Sequence, residues 1–178
     1  MMKLGFPRRL FLAAALLLAA LPALPQTAPL YTVEIVVFRN EGTTGALAGA
    51  QTVSPGSTDD VAVTPVATRR LGGAAQKLRT AGGMRVLAHT AWTQSPTNWN
   101  SRRGPSATEL GLGAGVTGKV IFERGRFLHL GVDLTVEEGG QRYRINEVKQ
   151  VKADEIHYFD HPSIGVIAIV TAVGTTGD

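Results

Sequence analysis

The chain has 178 residues, no cysteine, and 18 Lys and Arg against 14 Asp and Glu, a formal net charge of +4. The missing thiols exclude disulfides, Cys-ligated metals and a lipid on an N-terminal cysteine. Lys3, Arg8 and Arg9 lie in a leader, and without them positive and negative residues nearly balance, so there is no basic stripe to bind nucleic acid.

Residues 1–28 read as a secretory signal peptide. A positive head is followed by the uncharged run Leu10 to Leu21 and by the helix-breaking "PALPQTAP". That run is shorter than the roughly 20 apolar residues a membrane span needs, so no stable span is expected once the leader is cleaved between Ala23 and Ala28. Residues 29–178 then form a single domain, long enough to bury about 68–70% of its unfolded surface.

"LYTVEIVVFRN" (30–40) is a strand, apolar on both faces apart from Thr32 and Glu34, which places it inside a sheet. Residues 41–66 are a long Gly/Ser/Thr/Pro-rich loop, with a short edge segment at "VAVTPV". "TRRLGGAAQKLRTAGG" (68–83) is the one helix. Leu71, Ala74, Ala75 and Leu78 recur at helical spacing, Thr68 can cap the start and Gly82-Gly83 the end. Gly72 and Gly73 cost about 1 kcal/mol each relative to Ala, so the helix must lean on a sheet. Its Arg70, Lys77 and Arg79 form a solvated face.

"MRVLAHTAWTQ" (84–94) follows as a strand and completes an opening β-α-β. Residues 95–113 are a second long loop, holding Trp99 and the pair Arg102-Arg103. From Val116 onward three strands are joined by two tight turns, at Arg124-Gly125 and Gly139-Gly140, where glycine supplies positive φ. The middle strand alternates. Leu128, Leu130, Val132, Leu134 and Val136 face the core, while Phe127, His129, Gly131, Asp133 and Thr135 form a polar face. The last strand, "IGVIAIVTAV", is apolar on both faces and can pair centrally with the first. The fold class is α+β: a single, mostly antiparallel sheet of about six strands with one main helix packed on one face.

The candidate chemistry centres on "DEIHYFDHPSIGVIAIV" (154–170), which holds His157 and His161. Pro162 pushes His161 out of the helical region, and in an extended chain the two imidazoles stand roughly 13 Å apart. One ion cannot bridge that distance with metal–nitrogen bonds of about 2 Å unless a tight turn folds the two together. No Gly-x-Ser-x-Gly elbow is present. Glu137-Glu138 sits at a hairpin tip, and Asp154 and Glu155 face opposite ways, so neither pair suits glycoside hydrolysis. A non-enzyme with no cofactor and no metal is expected.

Two readings of "HYFDHP" stay open: a structural corner closed by a buried Asp–His contact, or a polar and aromatic ligand surface. Within it, one of Tyr158 and Phe159 is buried while the other covers an edge. Asp160 cannot bond the amide two residues on, because Pro162 has no N–H; the Ser163 amide or a histidine ring are the candidates. Trp92 at a strand end suits a core, whereas Trp99, in a loop with Asn98, Asn100 and Arg102, could stack on a sugar ring or a partner.

Four blocks in order, "YTVEIVVFRN", "VLAHTAWTQ", "GRFLHLGVDL" and "DEIHYFDHPSIGVIAIV", resemble the CsiV family of proteobacterial periplasmic proteins. The resemblance implies a non-catalytic, periplasmic peptidoglycan-binding protein that supports cell-wall biogenesis by assisting a bifunctional penicillin-binding protein or its lipoprotein activator. The motif positions carried over are Trp92, Arg126, His129, His157, Tyr158, Asp160 and His161. With Trp99 and with Asp133 and Arg144 of the polar sheet face, they make up the candidate ligand-binding residues. Peptidoglycan suits them, because its sugars and carboxylates match aromatic faces and Arg donors. The rival readings are an envelope adaptor that contacts proteins without touching glycan, and a metal-dependent hydrolase.

Overall fold

The computed structural model describes residues 28–42, 61–67 and 69–174. The expected signal peptide up to residue 27, the interior of the first long loop and the expected cap Thr68 lie outside the described residues. The elements in chain order are β1 (Tyr31–Asn40), β2 (Thr64–Pro65), α1 (Gly72–Thr80), β3 (Met84–Gln94), β4 (Thr97–Asn98), β5 (Val116–Arg124), β6 (Leu128–Glu138), β7 (Gln141–Val151), β8 (Ile156–Asp160) and β9 (Ile164–Ala172). Among the described residues no helix is long and apolar enough to cross a membrane.

The strands form two sheets, with orders β2-β3-β1-β9-β8 and β4-β5-β6-β7. This corrects the expected single sheet of about six strands. The α+β character holds, with strands dominating one short helix. The reason lies in β1 and β9, which pair with each other at the centre of the larger sheet. Both are apolar on two faces because two layers cover them. Inward, Val33, Ile35, Val37, Val166, Ala168 and Val170 meet Phe122, Leu130, Val132 and Leu134 of the smaller sheet in one core. Outward, Val36 and Ile169 meet Leu71 and Ala75 of α1. The opening unit is also corrected, since β3 pairs antiparallel beside β1 and the helix does not link parallel strands. The short edge segment expected at 61–66 is present as β2, which pairs with β3.

Nine residues are too few for a helix to persist in water by propensity alone, and α1 has no side-chain cap of its own. Glu34 of β1 supplies the anchor. Its buried carboxyl group accepts the backbone N–H of Arg70 at 2.7 Å and of Leu71 at 2.9 Å. The ring Nε2 of His89 lies 2.7 Å away. A carboxyl group aimed at N–H groups entering a helix satisfies orphan donors and suits the positive end of the dipole.

β5, β6 and β7 form the expected meander, with β6 in the middle. Gly139 and Gly140 hold φ of 57° and 75°, as a two-residue hairpin turn requires. Gly125 does not have positive φ, and its place in the other turn has a different cause.

Candidate functional site

The second long loop is organised around one buried acid. β4 adds to β5 in parallel at Glu123 and Arg124. The side chain of Glu123, 0% exposed, accepts the Asn100 N–H at 3.1 Å, the Ser101 hydroxyl at 3.1 Å and the Arg102 N–H. Asn100 and Arg102 adopt φ of 65° and 57°, a left-handed conformation that non-glycine residues hold only when their surroundings compel it. The bonds to Glu123 supply that compulsion. The Trp99 N–H donates to the Arg124 carbonyl at 3.2 Å. The main chain on both sides of Trp99 is therefore tied down while its indole projects outward.

The indole rests on the β5–β6 turn. A Cβ built on Gly125 would stand 3.1 Å from Trp99 Cβ and 3.3 Å from Cγ, so glycine is there to admit the ring. The indole also lies on the His129 imidazole, with ring centroids 3.9 Å apart and planes tilted by 40°. The His129 Nδ1 is 3.1 Å from the Phe127 carbonyl oxygen. A carbonyl only accepts, so the proton sits on Nδ1, and in the neutral ring Nε2 is left as an acceptor. Trp99 stays 49% exposed and Phe127 46%. The Arg126 guanidinium carbon lies 5.3 Å from the Phe127 ring centroid. Arg124 donates to the Tyr31 hydroxyl at 3.4 Å, and Arg102 and Arg103 are exposed on the loop. The result is an aromatic platform edged by guanidinium groups.

Of the expected ligand residues, the structure brings together Trp99, His129 and Arg126. Trp92 is corrected. It is 1% exposed, its indole N–H donates to buried Gln94 at 2.6 Å, and it belongs to the core between the sheets. Asp133 and Arg144 share the polar face but bind each other, with Arg144 Nε 3.0 Å from Asp133 Oδ1 and Nη2 3.3 Å from Oδ2.

The "HYFDHP" residues form a corner, without the expected Asp–His contact. Phe159 is buried and Tyr158 covers the edge. The Asp160 carboxyl group accepts the Tyr158 hydroxyl at 2.9 Å, while the Ser163 N–H donates to His161 Nδ1 at 3.2 Å. Burial, and then the bond to Asp160, push the Tyr158 phenol up to about 12. Tyr158 stacks on Phe38 at 6.2 Å. Gly165 makes room for both rings, because a Cβ there would lie 2.5 Å from Phe38 Cζ and 3.0 Å from Tyr158 Cε2. His157 Nε2 accepts the Lys152 N–H at 3.2 Å. Among the described residues no three His, Cys, Asp or Glu side chains converge as a metal site would require.

The residues that sequence reasoning missed are Glu123, Gly125 and Phe127. Period-two alternation puts Glu123 on the same polar face as Lys119, so it reads as solvated. Only the closing of the loop over it makes it a buried latch.

The far end of β6 is different. Glu138 receives both Arg39 and Arg85, Arg85 also reaches Glu41 at 2.8 Å, and Arg39 lies 4.8 Å from the Tyr143 ring centroid. The bond from Arg39, helped by Arg85, holds the Glu138 carboxyl group below its usual range. Beside this network is an open cleft of about 210 Å³ between Leu87, the Leu112–Val116 turn and the end of β6.

The described residues thus form two sheets with a surface helix and an exposed aromatic platform bordered by arginines. The model of the family described as "Peptidoglycan-binding protein, CsiV" matches residues 48–173, and the chain belongs to that family. The match begins after β1, so the first of the four resembling blocks lies outside it. No curated protein and no solved structure matches the chain.

Proposed function

We propose that this chain is an exported periplasmic protein that binds peptidoglycan without catalysis. In this reading it supports cell-wall biogenesis by assisting a bifunctional penicillin-binding protein or its lipoprotein activator. Peptidoglycan binding is the family's described property. The observation that carries the placement of the site is the Trp99–His129 stack, exposed and fixed from below by Gly125 and Glu123. An aromatic face set rigidly at a surface offers stacking area at little entropic cost. The guanidinium groups beside it offer donors to carboxylates and carbonyls. Glu123, the carboxyl group beneath the platform, has both oxygens committed to the loop.

Retention on purified sacculi tests the reading. The protein should sediment with sacculi, and Trp99→Ala should weaken binding about tenfold, the scale of one lost ring partner, with only a small drop in melting temperature. Retention no greater than that of a control protein would sink the reading. If crosslinking from position 99 then captured a protein, the adaptor role would take its place.

A further inference from the structure

We propose that the platform selects an acidic glycopeptide over neutral glycan: a sugar ring lies on Trp99 while Arg126 holds a carboxylate of the attached peptide. This rests on the peptidoglycan reading above and specifies which part of the polymer is read.

The argument starts from how arginines are used across the molecule. Arg39, Arg70, Arg85, Arg142 and Arg144 each have an Asp or Glu partner. Arg79 on α1 and Arg102, Arg124 and Arg126 form no ion pair with a described residue, and the last three are close to Trp99 in the fold of β4 and β5. Most of the described guanidinium groups without an acid thus lie at the end of the smaller sheet that presents Trp99 and Phe127.

Two of these groups are held in place. Arg126 lies over the Phe127 ring, which engages its face and leaves the N–H rim directed sideways. Arg124 is tethered to the Tyr31 hydroxyl on the core-facing side of β5, away from the His129 face. Arg126 follows Gly125, on which Trp99 rests, one Cα step of about 3.8 Å away. A carboxylate bound there lies within a sugar's length of a ring stacked on the indole. Planar guanidinium forks match carboxylates in paired hydrogen bonds, whereas an uncharged sugar offers them only single carbonyl and hydroxyl acceptors. In peptidoglycan, ring and carboxylate occur this close together where the peptide leaves the glycan strand.

Isothermal titration of the purified protein with three probes tests the proposal. The first is a disaccharide–tetrapeptide with free carboxylates, the second the same compound with its carboxylates amidated, the third the neutral tetramer of N-acetylglucosamine. Amidation should weaken binding about tenfold, the scale of a lost charge-assisted pair. Arg126→Gln should weaken the free-carboxylate probe about tenfold and the neutral tetramer by much less. Trp99→Ala should weaken all three. Equal binding of the free and amidated probes would overturn the proposal and leave peptidoglycan binding standing. Binding of none of the three would overturn both. Arginine-dependent binding to phosphatidylglycerol vesicles, with none to the acidic probe, would overturn it in favour of a lipid surface.

Discussion

The two ends of β6 use the same kinds of residue in opposite ways. At Glu138 the acid receives arginine side chains, so cations and anion neutralise each other. At the other end, in the β5 position opposite His129, Glu123 receives main-chain N–H groups and a hydroxyl. The nearby arginines keep their donors for something else. Roughly 30 Å of strand separates the two ends, at about 3.3 Å per residue. An acid that bonds backbone shapes a loop, and one that bonds guanidinium groups closes a surface.

The sharpest break in that comparison is Glu123→Ala, which orphans several buried donors at once. It should cost about 3 kcal/mol, given about 1–3 kcal/mol for each buried group left unsatisfied, and it should abolish sacculus binding. Urea unfolding reads the first effect and sedimentation the second. If stability fell while retention were unchanged, the loop would have no part in binding. Gly125→Ala comes next. The added methyl group must displace Trp99, at about 1 kcal/mol for a tight overpacking. The expected signature is a red-shifted tryptophan emission with weaker retention, and an unshifted spectrum would refute the packing argument. The smallest effect belongs to Glu138→Gln. The folded carboxyl group has its pKa lowered, so its contribution is present above the unfolded value of about 4.3 and is lost as pH falls through the lowered folded value. The variant should lose roughly 0.5 kcal/mol at neutral pH after solvent screening and show a flatter acid limb, with sacculus binding untouched. An acid limb unchanged from the parent would remove the ion-pair account.

Much of this was legible in the chain. The alternation of β6 separates core Leu130, Val132 and Leu134 from His129 and Asp133, and the two-sided apolar character of β1 and β9 puts them at the centre of a sheet. What remained hidden was long-range pairing. A strand apolar on both faces needs two covers, and periodicity does not say whether the second cover is a helix or another sheet. The site was half legible for the same reason. Trp99 stands out as an aromatic residue among Asn and Arg, and His129 sits on the polar face. Their stacking depends on Glu123 folding thirty residues of sequence back onto one strand. Trp92 shows the converse: the resembling block marks it, and the structure buries it as a core residue.

The corner at β8 bears on how copies of the chain behave when crowded. β8 ends its sheet and carries Ile156, 64% exposed, the makings of a template for a neighbouring molecule's strand. Lys149 Nζ donates to the Tyr158 carbonyl at 2.6 Å, and His157 grips the Lys152 main chain. One ammonium group and one imidazole thereby occupy the rim where an intruding backbone would dock.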